Sequence, residues 1–431
     1  MPFVVVTDPD SVRRVLGGDG GVYSKPKYFG YRSKAVKTAV ASQQKAAELE
    51  TAELDEKGDV SRRALGQLAQ DKFQVILVSM GELLSRLEGL TAKDMESDDD
   101  AVIGIVQSGI TRLNLRVLFD YSDSRRADDI GMRILHAGRE FAQEMVNPLG
   151  FLFRPFAVVR FLIDAIAIIR FGRALGRHLD HLASAGAKGW VHSWIGKVGK
   201  VGKLGKVTGL VMASTQTVPT ATLWLIYYLS EHPHALETIR EELRQILGER
   251  KISEMSYDDL KPMVYTESVV RETLRLRPPF PVLVKECQRD DNLAGLMIPR
   301  GTSVYIVPWL VHQNAKSWEE PENFRPERFL NAPESGGAPS SFAYVPFSRG
   351  SRMCGGYRLA VMELKIFVAR FAYQYDCETS FPPPFEPGYF PPLNMSPLGM
   401  RAEISRRDSA ADVVVGLSSP STSSSSDSPS Q

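Results

Sequence analysis

One cysteine of this chain stands among residues that favour a metal-bound thiolate. Cys354 lies in the run Phe347-Ser-Arg-Gly-Ser-Arg-Met-Cys-Gly-Gly356, where glycines 350, 355 and 356 let the backbone approach a flat cofactor and turn N–H groups toward sulfur. Arg352 adds a fixed positive charge two residues before the thiol. The run Tyr357–Phe371 reads as an apolar helix whose N-terminus favours an anion. An isolated cysteine is ordinarily a buried structural thiol. Here the surrounding pattern outweighs that reading.

The spacing Phe-x-x-Gly-x-Arg-x-Cys-x-Gly, carried by Phe347, Gly350, Arg352, Cys354 and Gly356, resembles the haem-thiolate loop of the cytochrome P450 family. Glu272 and Arg275 stand three apart, on one helical face, where they can pair as a planar fork. Many surface helices carry such pairs for little gain. In the family an arginine from a Pro-Glu-Arg-Phe segment joins the pair, and Pro326–Phe329 offers Arg328 in the matching order before Cys354. We read the three as a buried network that fixes the chain ahead of the cysteine loop.

The resemblance covers most of residues 205–405 and reaches Asp8–Leu16, while 17–200 match loosely. The family's Trp-x-x-x-Arg, which grips a haem propionate, has no counterpart, and Ser61-Arg-Arg63 is the nearest basic candidate. Lys285 stands where the family places another propionate-binding arginine; it keeps the charge and loses the fork.

The family's Ala-Gly-x-acid-Thr pattern falls on Ala213-Ser-Thr-Gln-Thr217, which keeps the threonine and puts Gln216 in the acid's place. There the acid and alcohol help deliver protons to dioxygen. Glutamine orders water but does not titrate. Pro219 cannot donate to the carbonyl four residues back, so the Thr215 carbonyl is expected to be free, the helix kinked, and a water held beside Thr217. This arrangement is similar to the branch containing sterol hydroxylases and prostacyclin synthase. Neutral replacement in a packed helix is the plainer alternative.

These residues need elements to hold them. The chain has 431 residues, 43% hydrophobic and 24% charged, enough for a large core. A net charge of +1 gives no reason to expect nucleic acid as a partner. Three cysteines, at 287, 354 and 377, make no disulfide framework. No uninterrupted apolar run reaches the length of a membrane span, and the N-terminus does not read as a signal peptide.

Phe3–Thr7 reads as a strand and Asp8–Leu16 as a helix opened by Asp and Pro. Residues 35–90 read as helical with a polar break near Asp55–Asp59, and 98–120 continue that periodicity. Phe151–Phe171 is apolar but broken by charges, which fits a core helix, with a membrane-facing helix as the lesser alternative. The three-residue Gly-Lys repeat over 196–206 lacks the residues of a phosphate loop and reads as a basic linker. Helices follow over 207–229, 235–247 and 258–276, then short strands near 282–285, 293–297 and 302–307. Residues 408–431 are too poor in apolar side chains to fold.

The resemblance implies the cytochrome P450 fold, mainly α with small β-sheets, over residues 1–407. It implies haem b (iron protoporphyrin IX), with Cys354 as axial and metal ligand, Phe347, Gly350 and Gly356 shaping the loop, Arg352 and Lys285 on the propionates and Ala213 beside the cofactor. Thr217 and Gln216 would manage protons. The activity implied is a monooxygenase acting on an apolar, sterol- or lipid-like molecule, with electrons from an NADPH-dependent reductase docked near Arg349, Arg358 and Lys365. A peroxide isomerase or dehydratase needing no reductase is the second reading, and a truncated or degenerate haem-binding chain the third. A peripheral membrane contact goes with the first. An anchor upstream of Met1 would place the chain at the endoplasmic reticulum membrane; otherwise it is cytoplasmic.

Overall fold

The computed structural model describes residues 3–17, 21–24, 63–98, 100–146, 155–185, 200–280, 282–330, 342–381, 396–397 and 399–407. The break near Asp55–Asp59, the pair Ser61 and Arg62, and the Ser-rich tail lie outside the described residues.

Among the described residues helices carry the body, and the strands form three small sheets. β1 (Phe3–Val6) runs parallel to β6 (Ser303–Ile306), which pairs antiparallel with β3 (Leu283–Cys287), and β2 (Tyr23–Ser24) closes the other edge. Asp8 starts α1 (Pro9–Gly17) by accepting from the Ser11 N–H at 2.8 Å, the N-cap that the Asp-Pro pair implied. The expected single strand over 293–297 is instead a hairpin of β4 (Asp291–Leu293) and β5 (Leu296–Ile298). Ala294 (φ 53°) and Gly295 (φ 85°) turn the chain between them, and the Asn292 side chain accepts from the Gly295 N–H.

Besides helical residues 63–71, the described helices include α2 (Phe73–Glu88), α3 (Ala92–Ser97), α4 (Ala101–Phe119), α5 (Ser124–Val146), α6 (Pro155–Ser184), α7 (Lys200–Glu231), α8 (Pro233–Leu247), α9 (Val264–Leu276), α10 (Pro308–His312) and α11 (Tyr357–Gln374). A last antiparallel pair, β7 (Tyr375–Ser380) with β8 (Arg401–Arg406), follows α11 directly. α4 is long and apolar enough to cross a membrane, yet 78% of its most apolar stretch is buried against neighbouring helices, so it is the core helix of this fold.

The Gly-Lys repeat is not a linker where it is described. From Lys200 onward it is the first two turns of α7. Its three-residue period is close enough to the helical repeat to gather Leu204 and Val207 on a packing face, and Lys203 pairs with Asp180 of α6. The two helices cross where Gly172 leaves room, because a Cβ there would meet the Thr208 hydroxyl at 2.5 Å. Glycine thus costs helix propensity and permits the close crossing.

Inside α11, Glu363 is fully buried and neither carboxyl oxygen has a hydrogen-bond partner among the described residues. Burial pushes its carboxyl up to about 8, so the folded chain holds the neutral acid. A raised carboxyl contributes stability below the unfolded pKa of roughly 4.3 and loses it as pH rises toward 8, at about 1.4 kcal/mol per pH unit. We expect the urea midpoint of the parent to fall between pH 6.5 and 8 relative to Glu363→Gln, which removes this slope. Parallel profiles for the two proteins would refute the assignment.

Candidate functional site

Two pieces of backbone build the Cys354 loop. The Ser348 N–H donates to the Val345 carbonyl at 3.0 Å with Ser348 at φ 60°, and the Cys354 N–H donates to the Phe347 carbonyl at 2.9 Å, closing the loop on itself. Gly350 is required twice over. It sits at φ 76°, and a Cβ there would lie 2.1 Å from the Leu16 carbonyl oxygen of α1. The N-terminal helix therefore seats the loop from outside. Phe347 packs partly buried against the main core and approaches Tyr357, ring centre to ring centre, at 6.3 Å.

The three thiols differ. Cys287 is buried and donates to the Arg289 carbonyl at 2.9 Å. Burial pushes the Cys377 thiol up to about 12. Cys354 alone has an exposed side chain. Protein crowding still raises its pKa, while a hydrogen bond from the Gly356 N–H acts to lower it.

A Cβ on Gly356 would meet no atom within 4 Å, so the far side of the loop is open. No described residue partners the Arg352 guanidinium by hydrogen bond or ion pair. Among the described residues no group of three or more His, Cys, Asp or Glu could hold a metal. The exposed thiol, the open glycine face and the unpartnered cation fit a flat, metal-bearing group with acidic substituents.

Behind the loop stands the network that Glu272 organises. Arg275 donates through Nε and Nη2 to the two oxygens of Glu272, each at 2.8 Å, and Arg328 Nε donates to the same carboxylate at 3.0 Å. The Arg325 N–H adds a fourth bond at 2.9 Å. Arg275 spends its remaining donors on the carbonyls of His312, Pro321 and Asn323. Both members of the Glu272–Arg275 pair are fully buried, so the fork and these carbonyls replace all lost hydration.

His312 carries this order toward the cysteine, a role that a lone histidine in sequence does not reveal. The Val345 N–H donates to Nε2 at 2.9 Å, which makes Nε2 the acceptor and Nδ1–H the donor to the Arg275 carbonyl, also at 2.9 Å. Trp318 and Tyr344 tie down the same segment through the Ala343 and Arg271 carbonyls. Burial pushes the His312 imidazole down to about 3. A depressed histidine is neutral in the fold, so its stability is complete above roughly pH 6.5 and is lost as pH falls toward 3. That slope opposes the one from Glu363. Between pH 6.5 and 5, His312→Asn should lose about 1.4 kcal/mol per unit less than the parent, read as urea midpoints; equal losses would refute the buried neutral ring.

On α7, Thr215 and Val218 are buried while Ala213 is exposed and Gln216 and Thr217 are partly so. Ala213, Gln216 and Thr217 follow helical spacing, so they form one strip along open space. Thr217 Oγ1 donates to the Ala213 carbonyl at 3.1 Å. The Thr215 carbonyl is not free. Gln107 of α4, buried in the interface, donates its side-chain amide to it, so the expected water site at this carbonyl is filled by protein.

The remaining sequence-picked residues are spread out. Lys285 is buried on β3, opposite Val304. Arg63 is exposed at the head of helical residues 63–71. The proposed docking cations separate. Lys365 is buried and donates to the Leu260 carbonyl and to Glu267, so it is not on the surface. Arg349 is half-buried and reaches the Tyr344 carbonyl, whereas Arg358 is exposed beside Tyr357.

A family model described as Cytochrome P450 matches residues 203–394. The chain is similar to Cytochrome P450 3A19 of Capra hircus aegagrus, 34% identical over 168 residues that are 39% of this chain and 75% of that protein. It is also similar to Cytochrome P450 CYP82J17 of Trigonella foenum-graecum, 35% identical over 174 residues, 40% of this chain and 33% of that one. The matched region thus spans about a third of the length of the first curated relatives. The crystal structure of the cytochrome P450DA heme domain superposes with a TM-score of 0.70 at 16% identity, covering 94% of this chain and 87% of that chain.

Proposed function

Because this chain belongs to the cytochrome P450 family, we propose that it is a haem-thiolate monooxygenase acting on an apolar small molecule. The balance is substrate and dioxygen with two electrons and two protons giving hydroxylated product and water. The observation that carries the reading is Cys354, the exposed thiol beneath the Gly356 N–H. Haem held at Cys354 would supply the oxygen chemistry.

The chain's own residues then have separate tasks. Gly356 N–H stabilises the sulfur anion, while Phe347 and Gly350 hold the loop shape. Arg352 and Lys285 would hold the acidic substituents, and Ala213 would give clearance on its strip of α7. Thr217 turns its hydroxyl from the Ala213 carbonyl toward water when a proton is needed, and the Gln216 amide orders that water. Neither residue titrates near neutrality, so protons reach the site from solvent through ordered water.

For electrons we assign an NADPH-dependent reductase as partner, with exposed Arg358 as its contact. A peripheral membrane contact fits α6, where exposed Ile163, Ile166 and Ile169 continue along the helix into exposed Arg170, Arg173 and Arg177. An apolar stripe leading to a basic one suits an anionic lipid surface.

The test is turnover of lauric acid and cholesterol by purified protein with reductase, NADPH and isotopically labelled dioxygen. Label in the product is the expected result. Conversion of a lipid hydroperoxide without reductase or dioxygen would instead establish the isomerase reading, which Gln216 in the acid's place favours.

A further inference from the structure

We propose that Gln107 is a positioning residue that supplies the donor missing at Pro219 and thereby fixes the turn carrying Ala213, Gln216 and Thr217. Pro219 has no N–H, so the Thr215 carbonyl lacks its i+4 donor within α7 although Thr215 is fully buried. Gln107 Nε2 meets that carbonyl from α4. Asn114, two turns further along α4, donates to the neighbouring Ser214 carbonyl at 3.0 Å. Two amides buried in α4 therefore address two consecutive carbonyls, one of them deprived of its helical donor by proline.

α4 is held so that these amides cannot drift. A Cβ on Gly109 would lie 2.6 Å from Leu83 of α2, and one on Gly131 of α5 would lie 2.8 Å from the Thr111 hydroxyl of α4. Thr111 in turn donates to the Gln107 carbonyl at 2.7 Å. The peptide plane between Thr215 and Gln216 is consequently set by a side chain outside α7. A rotation of that plane would move Gln216 and Thr217 together. The functional part of this inference rests on the monooxygenase reading; the structural part does not.

The experiment is a cycle of Gln107→Leu, Pro219→Ala and the double variant in the haem-loaded protein. Pro219→Ala restores an N–H to the Thr215 carbonyl, which makes Gln107 dispensable. Amide exchange over residues 213–222 should accelerate about tenfold in Q107L, by loss of one buried bond, and return to the parental rate in Q107L/P219A. With reductase and lauric acid, Q107L should release severalfold more peroxide per NADPH at unchanged KM, and the double variant should recover. Equal acceleration of exchange in both backgrounds, or none in either, overturns the clamp. If the parent consumes no dioxygen with reductase, the monooxygenase reading fails and the exchange cycle still decides the clamp.

Discussion

Replacing Glu272 by alanine will leave the protein unable to retain haem, with no Soret absorbance in the purified chain and loss of most of its resistance to urea. The carboxylate accepts from Arg275 twice, from Arg328 and from the Arg325 N–H, all in a site without solvent. Removing it strands two guanidinium groups in the interior. Loss of one partner of a buried pair costs about 3–5 kcal/mol, a large share of the stability of a folded domain. The damage is also directional. Arg275 holds the carbonyls of His312, Pro321 and Asn323, and His312 accepts from the Val345 N–H two residues before Phe347. The loop of Cys354 begins where that chain of bonds ends. Glu272→Asp, which keeps the charge and shortens the reach, should retain haem partially. Parental Soret absorbance in the alanine variant would show that the network does not govern the loop.

How much of this was legible in sequence follows from where each signal resides. The pairing of Glu272, Arg275 and Arg328 could be read because the residues are charged, their order is fixed and the first two share a helical face. The loop could be read because its glycines answer backbone demands, and Gly350 meets both of them. Gln107 was hidden, since the reason for an amide in α4 is a proline more than a hundred positions away in α7. A signal did exist: Gln107 and Asn114 are polar positions seven apart on one face of an apolar helix, which asks what they satisfy. The Gly-Lys repeat misled for a related reason. Glycine lowers helix propensity locally, while the packing that holds the segment helical comes from Leu204 and Thr208, which meet α6 at Gly172, and from the Lys203–Asp180 pair. Lys365 misled through the assumption that lysine is exposed, whereas Glu267 and the Leu260 carbonyl satisfy it inside.

Cys354→Ser should remove the thiolate signature altogether while sparing the fold. The parent, loaded with haem, reduced and exposed to carbon monoxide, should show the red-shifted Soret band of a thiolate ligand; the variant should show none and should lose turnover by several orders of magnitude. The fold is spared because Cys354 makes its structural bond through its backbone N–H to the Phe347 carbonyl, and its side chain is exposed and replaces no core volume. Serine is close to cysteine in size, so the local geometry survives, but an alcohol remains protonated where the thiol can ionise. The variant therefore separates holding haem from activating it. Phe347, Gly350 and Arg352 still present the same loop, and haem retained without the band is the expected state. Cys287→Ser and Cys377→Ser are the controls, since both thiols donate to carbonyls inside the fold, and both should keep the band. A thiolate band that persisted in Cys354→Ser and vanished with either control would move the ligand to another cysteine and overturn the site.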